Sequence, residues 1–211
     1  MKKVTLFWNW FQDNEKLIYN AIKTGNNKQL IWLHLIRNYT YLSPDIILLM
    51  QTSITQQHKI TFIFSAKGNK EQFPILIALE EQAPKLKHFV PKAFIKPMVN
   101  KIDIKNGTDS PYIFSQYQLK ISSIYLSLID YNSYTKQLKI RLHIPNYNSL
   151  KNYNCLEKNI EILLCTILGE IDFRNHIEEM VYTQLDSSIP GLLSLIELPE
   201  YIAYLYHIYS K

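Results

Sequence analysis

Residues 136–173 carry the two patterns that most restrict how this chain can fold. In the first, polar residues alternate with four apolar ones: Leu138, Ile140, Leu142 and Ile144. A period of two is typical of a β-strand with one buried face and one solvated face. In the second, between residues 155 and 168, apolar residues recur three and four positions apart, which predicts a helix with a broad apolar face. Since neither apolar surface is stable in water, we expect the helix to cover the strand.

The other patterns indicate a mixture of helices and strands. Helices are predicted over residues 5–24, 28–37, 71–83 and 197–209, and strands over residues 46–53, 59–66, 89–98 and 122–130. The polar residues 55–58 predict a hairpin loop, and residues 99–118 are rich in turn-forming residues. We therefore expect an α+β fold with a single, largely antiparallel sheet of five or six strands and helices packed on one face.

The length of the chain predicts one domain over residues 1–211, in which residues 1–40 form a helical hairpin that packs on the sheet. With 47% apolar and 19% charged residues, the composition is that of a folded domain and not of a disordered chain. No run approaches the roughly 18 apolar residues of a membrane span, and no signal-peptide cleavage pattern follows the N-terminal lysines. We therefore predict a cytoplasmic protein without membrane contact.

The two cysteines, Cys155 and Cys165, lie on the predicted helix and ten positions apart. At about 1.5 Å per residue they are separated by about 15 Å along the helix axis, which is too far for a disulfide. We expect both to be buried thiols, in agreement with a reducing compartment.

The chain shows no motif that indicates catalysis or metal binding. Its six histidines are scattered and lack the spacing of a zinc site. No G-x-S-x-G sequence is present, and neither cysteine is predicted at an electropositive helix start. We therefore predict no catalytic residue, no cofactor and no metal, and we do not expect an enzyme.

Charge is divided unevenly along the chain. Residues 1–150 hold 19 Lys and Arg against 9 Asp and Glu, whereas residues 151–211 hold 4 against 9. The densest basic run, residues 85–105, includes aromatic residues, as nucleic-acid-binding segments do. Its cations are all lysines, however, and specific contacts to bases and phosphates favour arginine. Nucleic-acid binding is therefore not the function that the charge pattern favours.

The candidate binding residues come from two places. The solvated face of the predicted strand carries Lys139, Arg141 and His143, and a sheet face that no helix covers is accessible to a protein partner. Glu170 and Asp172 follow the predicted helix and, on a strand, would share one face. Such a pair suits either acid–base chemistry or a solvated acidic edge. We predict that these five residues bind a partner.

Four stretches of the chain form a recognisable set: FWNWFQDNE (Phe7 to Glu15), ITFIFSAKGNKEQFP (Ile60 to Pro74), APKL (Ala83 to Leu86) and ILLCTILGEIDF (Ile162 to Phe173). Together they resemble a group of bacterial proteins of unknown function. In that group an AFRPR-like strand follows the AP-x-L element, where this chain has AFIKP, and an acidic residue takes the place of Cys165. Some similar small proteins are encoded near secreted toxins, so the resemblance implies a binding or immunity role.

Three hypotheses on function follow. The first is a non-catalytic protein that binds a partner protein, such as an immunity protein that neutralises a cognate toxin. The second is a domain that binds a small molecule or a nucleic acid, and the third is an enzyme without a recognisable motif. Because an inhibitor of a cationic nuclease site has to be acidic, the basic character of this chain indicates a partner with an acidic surface, unless the acidic residues 151–211 form the contact.

Overall fold

The computed structural model describes residues 2–52, 59–114 and 116–209, and it confirms the α+β class. The chain divides into two compact units, which we name unit 1 (Met1–Ile95) and unit 2 (Lys96–Lys211). The prediction of one domain over residues 1–211 stays a prediction.

Unit 1 consists of a helical hairpin and a three-stranded sheet. Its elements are α1 (Lys2–Thr24), α2 (Lys28–Thr40), β1 (Ile47–Thr52), β2 (Ile60–Ser65), α3 (Phe73–Glu81) and β3 (Phe89–Ala93). β1 and β2 are antiparallel, whereas β3 follows α3 and pairs with β2 in parallel, so the strand order is β1-β2-β3. The two predicted N-terminal helices are confirmed, although α1 begins at Lys2 and not at residue 5. The predicted loop 55–58 lies outside the described residues.

Aromatic residues of α1 form the core of unit 1 together with β2. Phe7, Trp8 and Phe11 are at most 3% exposed. The ring centroid of Phe7 lies 5.8 Å from that of Phe64, and the ring centroid of Phe11 lies 5.5 Å from that of Phe62, both in edge-to-face geometry. Since Phe62 and Phe64 are two residues apart on a strand, they share one face of the sheet. One stripe of α1 therefore packs on one face of this sheet.

Unit 2 contains two sheets. Its elements are α4 (Lys101–Lys105), β4 (Tyr112–Ile113), β5 (Gln118–Leu119), β6 (Tyr125–Asn132), β7 (Gln137–Ile144), α5 (Tyr147–Leu150), α6 (Leu156–Leu168), α7 (Glu170–His176), β8 (Ile177–Gln184), β9 (Leu193–Ser194) and α8 (Leu198–Tyr209). β4 and β5 form an antiparallel pair, and the other four strands form a sheet of order β8-β7-β6-β9. The β6–β7 hairpin is antiparallel, whereas β8 pairs with β7 in parallel. The strand and helix predicted from residues 136–173 are confirmed as β7 and α6.

The apolar face of β7 and the apolar stripe of α6 are both buried: Leu138, Ile140, Leu142 and Ile144 of β7 and Ile160, Leu163 and Leu164 of α6 are fully buried. Leu142 of β7 and Tyr182 of β8 are register partners, so they share this face, and Leu142 is fully buried. Burial raises the pKa of the Tyr182 phenol, and the nearby carboxylates of Glu161 and Glu157 raise it further. Both glutamates belong to α6, and that this helix covers β7 itself stays a prediction.

The prediction of a single sheet of five or six strands is wrong, because the described residues form three sheets of three, two and four strands. The outer edge of β3 shows why the first sheet ends there. Pro91 has no N–H to donate, and the outward N–H of Ala93 donates to Glu80 Oε2 at 2.8 Å. A further strand paired with β3 would therefore find no free backbone N–H at Pro91 or at Ala93. Residues 99–118 instead contribute α4 and β4, and β5 ends at Leu119.

Candidate functional site

The predicted binding face of β7 carries opposite charges that neutralise each other. Lys139 Nζ lies 3.3 Å from Glu179 Oε2 and 3.7 Å from Glu178 Oε1, both on the adjacent strand β8. A hydrogen bond to Glu179, helped by the charge of Glu178, raises the pKa of Lys139. Arg141 on the same face is exposed. Lys139 and Arg141 are therefore accessible, but this face is not a simple cationic surface.

His143 was predicted on the solvated face, and this prediction is wrong because the side chain is only 3% exposed. β7 is an inner strand, and the register places Tyr125 of β6 and Thr183 of β8 on either side of His143. Neighbouring side chains on both sides reduce the exposure of a residue on an inner strand. The imidazole Nε2 instead lies 3.0 Å from the hydroxyl oxygen of Ser127.

The Ser127–His143 pair resembles a nucleophile and its base, but its hydrogen bonding does not suit catalysis. His143 Nδ1 is buried and has no hydrogen-bond partner among the described residues. A buried acceptor without a partner costs less than a buried N–H without one, which favours the tautomer with the proton on Nε2. In that tautomer Nε2 donates to Ser127 Oγ and cannot accept the serine proton, and no carboxylate orients the ring.

The burial of His143 predicts a pH dependence of stability. Burial lowers the pKa of His143 from its ordinary value of 6.5, and Arg141 lowers it further. As the pH falls below 6.5, the unfolded chain takes up a proton that the folded chain does not, so the free energy of unfolding decreases. The decrease ends once the pH is below the pKa of His143 in the folded state. Above pH 6.5 His143 is neutral in both states and contributes no pH dependence to the free energy of unfolding. Urea unfolding in a pH series from about 7 to about 5 measures the slope.

Two variants make this test specific. His143→Gln removes the titrating group, so we expect a smaller slope than in the natural chain. His34→Gln, the same substitution at an exposed position of α2, is the matched control. An unchanged slope in His143→Gln would assign the pH dependence to other groups.

The predicted acidic pair does not lie on a strand. Glu170 and Asp172 belong to the first turn of α7, where residues two apart point in different directions. Glu170 is fully buried, whereas Asp172 is exposed. The expectation that the two carboxylates share a face is therefore wrong, and only Asp172 can contact a partner.

The two thiols also differ. Cys165 is fully buried as predicted, and burial raises the pKa of its thiol, with Glu170 and Glu161 adding to the effect. Cys155 is exposed, because α6 begins one residue later and Cys155 itself has a left-handed backbone with φ of 72°. The prediction of a buried thiol is therefore wrong for Cys155.

A cleft of about 570 Å³ within unit 2 contains the accessible acid. Asp172 and His176 lie one turn apart on α7 and line it together with Tyr206 of α8 and Lys101 of α4. Tyr206 Oη lies 3.1 Å from His176 Nδ1. Burial raises the pKa of Tyr206, with contributions from Tyr131 and Asp172, so the phenol stays protonated at neutral pH. The lining charges have both signs and do not select one class of ligand.

A second, larger groove of about 760 Å³ lies between α1 and α2 in unit 1. Leu17 of α1 and Leu30 of α2 line it and are 51% and 57% exposed. The sequence contains a signal for it, since α2 includes the run LIWLHLI and is apolar on several sides, whereas only Leu35 and Tyr39 of this helix are buried. We name this feature the hairpin groove.

The two helices that form the hairpin groove carry more cations than acids. Unit 1 holds twelve Lys and Arg against six Asp and Glu, whereas unit 2 holds eleven against twelve. Within α1 and α2 there are six cations and two acids, Asp13 and Glu15. Glu15 Oε1 accepts the backbone N–H of His88 at 2.6 Å. Lys16 and Asp13 are the charged residues that line the groove.

The described part of the chain contains no group of three or more His, Cys, Asp or Glu that could hold a metal ion, and His58 lies outside it. Within the same part, every helix is too short or too polar to cross a lipid bilayer.

No protein family, curated protein or solved structure matches the chain.

Proposed function

We propose that this chain is a non-catalytic bacterial protein that binds a partner protein in the cytoplasm through the hairpin groove. The observation that carries the proposal is that Leu17 and Leu30 are each more than half exposed although they line the same groove. Apolar side chains gathered in a groove are stabilised when a second apolar surface fills it, and such patches mark binding sites.

The proposed occupant is an amphipathic helix of the partner with acidic residues beside its apolar face. A groove between two helices has the shape that accepts a third helix through apolar anchors one turn apart. Acidic flanks follow from the charge of the hairpin as a whole, where six cations outnumber two acids, since Lys16 and Asp13 offset each other in the lining of the groove itself. Complementary charge increases the association rate and selects among partners.

The resemblance to small bacterial proteins encoded near secreted toxins supports an immunity role for this binding. In that role the partner is a toxin, and occupying its surface is sufficient to hold it inactive without any catalytic step. Because unit 1 is basic, the contact involves an acidic segment of the toxin and not a cationic nuclease site. Lys139, Arg141 and Asp172 remain proposed contacts in unit 2.

The test compares three baits in affinity capture from the native host: the natural chain, Leu30→Glu and Leu6→Glu. Leu6 is a matched control because it is 54% exposed on α1 but does not line the groove. We expect the natural chain and Leu6→Glu to retain the same partner in equal amounts. Leu30→Glu places a charge against an apolar anchor of the partner and is expected to weaken binding at least about tenfold, as loss of a hot-spot residue does.

The partner found in this way is then tested for toxicity. Expressed alone in a susceptible host it should stop growth, and co-expression with the natural chain or Leu6→Glu should restore growth, whereas co-expression with Leu30→Glu should not. Equal retention of the partner by Leu30→Glu would reject the groove as the contact. A partner that is harmless when expressed alone would reject the immunity role.

A further inference from the structure

The two larger sheets have four edges in the described residues, and three of these edges resist the addition of a further strand. The edge strand β3 contains Pro91, and the edge strand β8 carries the acidic residues Glu178 and Glu179. At the remaining edge of the four-stranded sheet β9 is only two residues long, and the part of β6 beyond it carries the charged Asp130 next to a register irregularity. Proline, charged residues and short edge strands are the features by which proteins prevent sheets from joining edge to edge. The fourth edge is β1.

β1 has none of these protective features. Its sequence, ILLMQT, contains no charge, no proline and no glycine over six residues. Met50 is 37% exposed and Gln51 is exposed, so this part of the strand is accessible. A neutral and apolar edge strand without proline is the kind of edge that pairs with another strand.

The hydrogen bonds on the other side of the sheet determine which groups of β1 point outwards. The Ile60 N–H donates to His88 O and the Phe94 N–H donates to Phe64 O, both at 2.9 Å, so the even-numbered residues of β2 bond to β3. In a strand, backbone groups alternate in direction, and the odd-numbered residues of β2 therefore bond to β1.

The register then assigns the free groups. The odd residues of β2 pair with Ile47, Leu49 and Gln51 of β1, which leaves the backbone N–H and C=O groups of Leu48, Met50 and Thr52 directed to the open edge. No described residue bonds to these outward groups of Leu48 and Met50. The Met50 side chain lies on the core face of the sheet, because its register partner Phe62 is fully buried.

We infer that a second copy of this chain binds at this edge, with the two β1 strands antiparallel around a twofold axis at Met50. The geometry is self-complementary, because Met50 then faces Met50 of the other copy and Leu48 faces Thr52, and each pair exchanges its outward groups. About six backbone hydrogen bonds form across the axis, two for each hydrogen-bonded pair. A neutral strand does not repel its own copy, and the two Met50 side chains extend the apolar cores of both copies.

The test is the molar mass of the purified full-length chain, measured by light scattering and sedimentation over a wide range of concentrations. The natural chain is expected to form a dimer of about twice the 24.9 kDa of one copy. Met50→Pro removes an outward N–H without touching the bonds between β1 and β2, so this variant is expected to be a folded monomer. Met50→Lys keeps the N–H but brings two charges together at the axis, and is expected to weaken the dimer at least about tenfold.

Met50→Leu is the matched control and should remain dimeric, since it retains both the N–H and an apolar side chain. Circular dichroism confirms that each variant is folded. A natural chain that stays monomeric at high concentration would overturn the inference, and so would a Met50→Pro dimer. Leu30→Glu should remain dimeric, which separates this inference from the proposal on the hairpin groove.

Discussion

Replacing Phe11 with alanine is expected to lower the free energy of unfolding of unit 1 by about 3–5 kcal/mol. The Phe11 side chain is fully buried, and its ring centroid lies 5.5 Å from that of Trp8, 5.5 Å from that of Phe62 and 5.3 Å from that of Phe89. It therefore connects α1 to two strands of the sheet. Truncation removes apolar burial and leaves a cavity that rigid aromatic neighbours cannot fill. Since domains are stable by only about 5–15 kcal/mol, unit 1 should become marginally stable.

Tryptophan fluorescence during urea unfolding measures this effect, because the three tryptophans, at positions 8, 10 and 32, all belong to unit 1. Leu6→Ala is the control on the same helix; its side chain is 54% exposed, and we expect a loss of less than about 0.5 kcal/mol. Phe11→Leu retains most of the volume and should fall between the two. A loss below about 1 kcal/mol in Phe11→Ala would mean that α1 does not hold this core together.

The helices and strands that sequence periodicity predicts correctly are those whose pattern is local. α1, α2, β1, β2, β7 and α6 each repeat a period of two or of three to four over their own length. Pro91 likewise predicts that residues 89–98 form an edge strand, and β3 is an edge strand. The number of sheets depends instead on which strands meet, and that choice is made between residues far apart in the sequence.

The two parallel pairings show which signal the sequence analysis did not use. β2 and β3 are separated by α3, and β7 and β8 by α5, α6 and α7. A helix between two strands is the connection that parallel pairing requires, whereas antiparallel strands need only a tight turn. Both units thus contain a β-hairpin followed by a helical crossover to a parallel strand, although the sequence shows no repeat. Chain connectivity reveals this shared topology where residue identity does not.

The candidate sites are less predictable than the fold. The alternation in β7 places Lys139 and Arg141 correctly but not His143, whose burial depends on the residues of neighbouring strands. His176 and Tyr206 are 30 positions apart, so no local sequence pattern predicts their hydrogen bond. The exposed leucines of the hairpin groove are easier to predict. A helix that is apolar on several sides has more apolar surface than contact with one neighbouring element can bury.

Replacing Gly169 with alanine is the second substitution with a large expected effect, about 1–3 kcal/mol of unfolding free energy. Gly169 has φ of 87° and ψ of 148°, a left-handed extended conformation that side chains with a Cβ essentially never adopt. Gly169 adopts this conformation because it ends α6 and also precedes the first residue of α7. Its N–H donates to Cys165 O at 2.8 Å, and its C=O accepts the Phe173 N–H at 2.9 Å. An alanine here strains the backbone or moves α7 and, with it, the Asp172 side of the cleft.

Gly107→Ala is the matched control for this substitution. Gly107 has φ of 69°, close to the values of 51° and 58° that Lys67 and Lys136 adopt, and nothing lies within 4 Å of an added Cβ. An alanine there should cost about 1 kcal/mol and no rearrangement. Urea unfolding followed by circular dichroism compares the two variants, and hydrogen exchange over residues 162–176 shows whether the junction of α6 and α7 opens. Equal losses in the two variants would mean that the α6–α7 junction tolerates a Cβ, and that the orientation of α7 does not depend on glycine.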